Sequence, residues 1–142
     1  MKKNLVLVIS KSYIGLCLLS LAYLSVFALI DPRGTMELVN TPLENNDAIS
    51  SIRGVFGGVG TTICLSLLVL LRKKKYLEIL KFLAVFWLLY AFSRLITLLS
   101  DGPLGAFGNQ WIMIESFFGI FALLLYYFQS KAQLKNTLSI QQ

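Results

Sequence analysis

The stretch Ser51-Ile-Arg-Gly-Val-Phe-Gly-Gly-Val-Gly-Thr-Thr62 (SIRGVFGGVGTT) decides the fold. Four glycines follow Arg53 within eight residues. Such a run can cradle a phosphate, bend a helix or let two helices touch. A phosphate loop of the GxxxxGK[ST] kind needs a lysine after its last glycine and a strand before it. Here Gly54 and Gly60 have five residues between them, and Thr61 stands where the lysine would be. The run instead opens an apolar segment that reaches Leu71. On a helical template Ser50, Gly54, Gly57, Gly58 and Thr61 share one small face, and Gly54 and Gly58 form a GxxxG pair. Faces of this kind let helix backbones approach closely in lipid.

Three further apolar runs surround this one: Ser12–Ile30, Tyr76–Leu99 and Trp111–Phe128. About 20 mostly apolar residues cross the ~30 Å hydrocarbon core of a bilayer. Charged residues are 14% of the 142-residue chain, against about 25% in soluble domains. These observations predict an all-α, integral membrane four-helix bundle in a single membrane domain. Its helices are expected at about 5–30, 47–72, 76–99 and 108–129, with one long loop at 31–46 and a fraying polar tail after Phe128. The start resembles a signal peptide, with Val26-Phe27-Ala28 as a cleavage site. Lys11 interrupts that run, and the 19 apolar residues after it exceed a usual signal core, so a retained first helix is expected.

Charge gives the orientation. With the N-terminus inside, ten of the thirteen basic residues fall on the inner side. They are Lys2, Lys3, Lys11, Arg72, Lys73, Lys74, Lys75, Lys81, Lys131 and Lys135. This bias predicts that both termini are cytoplasmic, as in a multi-pass protein of a bacterial inner membrane. It also explains the net charge of +6 without nucleic acid. The run Arg72–Lys75 reads as the inner turn, with some affinity for anionic lipid. Tyrosines 13, 76, 126 and 127, with Phe107 and Trp111, suit the two interfaces. There is no histidine, and Cys17 and Cys64 sit in apolar runs as packing residues. The chain therefore offers no metal site and implies no cofactor.

Six of the seven acids fall on the outer side: Asp31, Glu37, Glu44, Asp47, Asp101 and Glu115. Three arginines, 33, 53 and 94, accompany them. Asp31-Pro32-Arg33-Gly34 is turn chemistry, Pro42 forbids a continuous helix through the loop, and Asn45, Asn46 or Asp47 suits the next N-cap. On helix three, Tyr90, Arg94, Thr97 and Asp101 make one polar stripe. Glu115, Gly119, Ala122 and Tyr126 share a face of helix four. Helix rise places Arg53 and Arg94 near the outer boundary and Glu115 roughly 6–13 Å below it. An acid at that depth marks a function or an ion pair, and Arg94 or Arg53 is its natural bidentate partner. The cluster is either a clamp between helices or a polar pocket.

The succession NNDAISSIRGVFGGVG (45–60), FSRLITLLSDGP (92–103) and Glu115 resembles the bacterial four-helix membrane family catalogued as domain of unknown function 4345. The resemblance covers most of the chain and singles out Asp47, Arg53, Gly57, Gly58, Arg94, Asp101 and Gly102. Phe56 departs from the family pattern, which has tyrosine there. The family name implies no activity.

Three functions are compatible with this reading. The favoured one binds an amphipathic lipophile (lipid, quinone or isoprenoid) through Arg53, Arg94, Glu115, Asp47, Asp101 and Tyr90. The second is a structural subunit that meets other membrane subunits, or itself, through Gly54, Gly57, Gly58, Thr61 and Gly119 or the Phe117-Phe118-Phe121 surface. The third is a small isomerase or cyclase with Glu115 as catalytic acid or base. A pocket at Glu115 favours the first and third, and a closed Arg–Glu pair favours the second.

Overall fold

The computed structural model describes residues 3–140, with side chains described over 4–134. Lys2, and the side chains of Lys3 and Lys135, lie outside the described residues. The described chain is all-α: α1 (Lys3–Ile30), α2 (Pro32–Glu37), α3 (Asn46–Ile52), a π-helical segment (Arg53–Val59), α4 (Gly60–Arg72), α5 (Tyr76–Ser100) and α6 (Ala106–Ile140). Four helical spans are long and apolar enough to cross a membrane: Asn4–Ile30, Asn46–Arg72, Tyr76–Ser100 and Ala106–Leu134. The side chains agree, since Leu19, Ile30 and Leu99 are 71%, 74% and 78% exposed. A soluble surface does not carry so much large apolar area.

The chain divides into two compact units. One is Tyr13–Lys74. Its buried residues include Ile14, Cys17, Leu21 and Ala28 on α1, Ile49 on α3, and Cys64 and Leu67 on α4. The sequence predicts one long loop at 31–46, and a short helix forms inside it. Asp31 caps that helix through Oδ1, which accepts from the Gly34 N–H at 2.9 Å, and Pro32 takes the first turn. An acid cap followed by proline is a helix start, so the Asp-Pro step begins an element as well as ending one. Asn40 then adopts positive φ, and the chain has no regular secondary structure over 41–44. Asn45 caps α3 by accepting from the Ala48 N–H at 2.8 Å.

From Asn46 the helix is continuous to Arg72, but its middle is π-helical over Arg53–Val59. Glycine supports helix geometry poorly, and three glycines in RGVFGGV leave little side-chain packing to hold the tighter turn. A π turn bonds i to i+5, so it rotates everything beyond it relative to a 3.6-residue template. The closest approach to α1 consequently falls at Gly57 and Gly60. A Cβ on Gly57 would lie 2.6 Å from the Leu29 side chain, and one on Gly60 would collide with Ser25 Oγ. At Gly54 a Cβ would meet nothing within 4 Å among the described residues, and at Gly58 only the Arg53 carbonyl at 3.9 Å.

The other unit holds the residues up to Ser12 and those from Lys75 onward. Here α5 and α6 form an antiparallel hairpin. The link between them turns at Gly102, whose φ of +107° suits a residue without Cβ. Leu88 of α5 packs on Gly119 of α6, where a Cβ would lie 2.6 Å from Leu88 Cγ. Trp87 meets the Phe118 ring at 5.4 Å. Ile79, Leu80, Leu83 and Ala84 are buried on α5, as are Ala122 and Leu125 on α6. Lipid competes for apolar contact as well as protein does, so close packing and polar pairing hold such helices together. Helix α6 continues to Ile140 where the sequence suggests fraying after Phe128. No glycine or proline follows Phe128, so nothing local breaks it.

Candidate functional site

Helix α5 places Arg94 two turns before its C-terminal end, and α6 brings Glu115 opposite. Arg94 Nε donates to Glu115 Oε2 at 2.7 Å and Nη2 donates to Oε1 at 2.9 Å. Both carboxylate oxygens are thus engaged by one guanidinium, in the strong two-point geometry. The Glu115 side chain is 2% exposed and that of Arg94 is 22% exposed. The acid is buried, and the arginine side chain stays partly exposed. The Phe107 ring lies 5.7 Å from the guanidinium carbon, within range of a cation–π contact. Tyr90, one turn from Arg94, is half-exposed and within electrostatic reach of both charges. Its ring packs on Phe86 at 4.9 Å.

The rest of the α5 stripe does not join this group. The Thr97 hydroxyl donates to the Ser93 carbonyl of its own helix. Asp101 is the exposed C-cap residue of α5.

Arg53 and Asp47 belong to the other unit. Arg53 Nε donates to the Leu29 carbonyl at 3.2 Å. Leu29 is among the last residues of α1, where carbonyls lack helical partners. Arg53 therefore caps the end of α1 from the start of the π segment. No sequence pattern marks that role, because it depends on which carbonyl lies under the guanidinium. Asp47 is exposed in the first turn of α3, where a negative charge complements the helix dipole. Thr61 is half-buried. An open depression of about 570 Å³ lies over the α2 region, lined by Arg33, Glu37, Asn40, Thr41, Pro42 and Leu43.

Cys17 and Cys64 are buried, and neither forms a disulfide among the described residues. No group of three or more His, Cys, Asp or Glu residues is placed to hold a metal among the described residues. Among the described residues, three buried polar atoms have no hydrogen-bond partner: Ser10 Oγ, Trp87 Nε1 and Gln129 Oε1.

No curated protein and no solved structure matches this chain. A family model does match, over residues 9–126. That stretch contains the π segment, Arg53, Arg94 and Glu115, and it extends across most of both units. The chain belongs to the family described as Domain of unknown function (DUF4345).

Proposed function

We propose that this small membrane protein is a structural subunit that docks other transmembrane helices against the Gly54/Gly58 face. One observation carries the reading. Packing onto α1 uses Gly57 and Gly60, which leaves the GxxxG pair exposed, with open space over Gly54. Thr62, one further turn along, is exposed too. An open face of small residues suits close approach by a helix from another subunit or a second copy. The sealed Arg94–Glu115 pair fits the same reading, because it locks α5 to α6. It also leaves Glu115 poorly placed as a general acid or base, which needs hydrogen-bond reach to a substrate. The basic residue distribution supports cytoplasmic termini in a bacterial inner membrane.

Gly54→Leu and Gly58→Leu test this directly, because a Cβ at neither position meets α1. The expected result is an unchanged melting temperature for the isolated chain. Cross-linked or native-detergent species larger than a monomer should be lost. A wild-type chain that is monomeric both in mild detergent and in cross-linked membranes overturns the proposal.

A second reading has its own support. A guanidinium has five N–H donors, and Glu115 occupies two of them, so three remain. Held rigidly beside Tyr90 and Phe107, they suit the polar head of an amphipathic lipid, quinone or isoprenoid. Native mass spectrometry of the chain extracted in mild detergent is then expected to show a retained lipophile, lost in Arg94→Lys. A lipophile-free chain that no lipid stabilises removes this reading.

A further inference from the structure

Helix α4 ends in Arg72, and the turn to α5 continues with Lys73, Lys74 and Lys75. All four are exposed. Lys75 has a carboxylate partner, with its Nζ 2.8 Å from Glu78 Oε1. Arg72, Lys73 and Lys74 have none among the described residues. Arg72 in the last turn complements the helix dipole, but Lys73 and Lys74 lie past the end of the helix.

The backbone makes Lys74 more pointed. Its φ is +57°, in the left-handed region where glycine is the easy residue and a side chain adds strain. The turn is closed by the Lys73 N–H to the Val69 carbonyl and the Lys74 N–H to the Leu71 carbonyl, at 3.1 and 3.0 Å. Glycine would serve this closure better. The side chain at 74 is therefore present despite the backbone, and what it adds is a charge. The three cations stand at the end of a 27-residue apolar span, at the level where headgroups meet water. Exposed apolar residues such as Leu65 and Val69 lie just before them on α4.

We propose that Arg72, Lys73 and Lys74 form a headgroup site for anionic phospholipid, with the acyl chains lying along the exposed apolar side of α4. The occupant is a lipid because the charges adjoin lipid-facing surface. A topology signal alone would need charge only during insertion, and any residue order would supply it. The headgroup site also needs the charges in the folded protein.

The test uses the full-length chain, purified and exchanged into mixed micelles of phosphatidylglycerol and phosphatidylcholine, with retained lipids counted by native mass spectrometry. The wild type is expected to retain the anionic lipid preferentially. A cation near an anionic surface contributes on the order of fivefold. Lys74→Gly is therefore expected to lower the preference about fivefold while raising the melting temperature, since it relieves the backbone. Glycine adopts the φ of +57° at this position without strain, so the variant reads the loss of the charge. Arg72→Gln/Lys73→Gln/Lys74→Gln is expected to lose the preference about a hundredfold, on the order of three such factors combined. Lys73→Arg/Lys74→Arg should keep it, and 0.5 M salt should weaken it roughly as screening requires. Equal retention of both lipids by the wild type overturns the proposal, as does an unchanged preference in Lys74→Gly and the triple variant. Loss of the preference on adding millimolar inorganic phosphate overturns it too, by assigning the cations to a free anion.

Discussion

Arg94→Ala is expected to lower the stability of the folded chain in detergent by about 3–5 kcal/mol. The size follows from which partner remains. Glu115 is 2% exposed and gives both oxygens to Arg94. Removing the guanidinium leaves a buried carboxylate with no counter-charge, the most destabilising way to break such a pair. Removing both partners should cost much less, because well-packed apolar replacements of a buried pair are often neutral or better. Arg94→Met/Glu115→Leu is therefore expected to recover most of the loss, and Glu115→Gln to fall between. The coupling from a double-mutant cycle, read by thermal or SDS unfolding, separates this lock from a merely adjacent pair. Unfolded membrane chains still find polar partners, which trims the loss without changing the order of the variants. An Arg94→Ala chain as stable as the wild type would show that the pair holds nothing together.

The same pair shows how far sequence reading goes. Spans were legible because their signal is simple: runs of about 20 apolar residues bounded by charges. An arginine partner for Glu115, Arg94 or Arg53, was legible too, since an acid at that depth has few ways to be satisfied. Arg53 looked equally suitable by depth, yet it caps Leu29. Depth along a helix follows from counting residues, whereas rotation about the axis does not when the helix is irregular. The π segment is that irregularity. Template spacing puts Gly54, Gly57 and Gly58 on one face, whereas the geometry packs only Gly57 of these, together with Gly60, against α1 and leaves Gly54 and Gly58 open. The glycine density of RGVFGGV is a signal that helix geometry is weakly held, but it does not say that the turn widens or by how much. The helix at Pro32–Glu37 was hidden for another reason, since Asp-Pro reads as a stop after α1 and serves equally as a start.

Gly57→Leu is the second large effect, and it tests the rotation itself. Even the first atom of a side chain at Gly57 would sit 2.6 Å from Leu29 Cγ and Cδ2 and 3.3 Å from the Leu29 backbone nitrogen. The Leu29 side chain can give way, but its backbone cannot do so without moving α1. Overpacking of this kind costs about 1–3 kcal/mol, and the bulk of leucine puts Gly57→Leu at the top of that range. Gly57→Ala pits a smaller clash against a helix-propensity gain of up to ~1 kcal/mol, so it should be mildly destabilising. Gly54→Ala has the propensity gain and no clash, and is expected to be neutral or stabilising. Leu29→Ala should rescue Gly57→Ala in part by clearing the side chain that the new methyl meets, while leaving Gly54→Ala unaffected. If Gly54 proved sensitive and Gly57 tolerant in the isolated chain, α1 would have to pack on the regular GxxxG face. The π-helical rotation would then be wrong, and with it the open face that leaves Gly54 and Gly58 available to another helix.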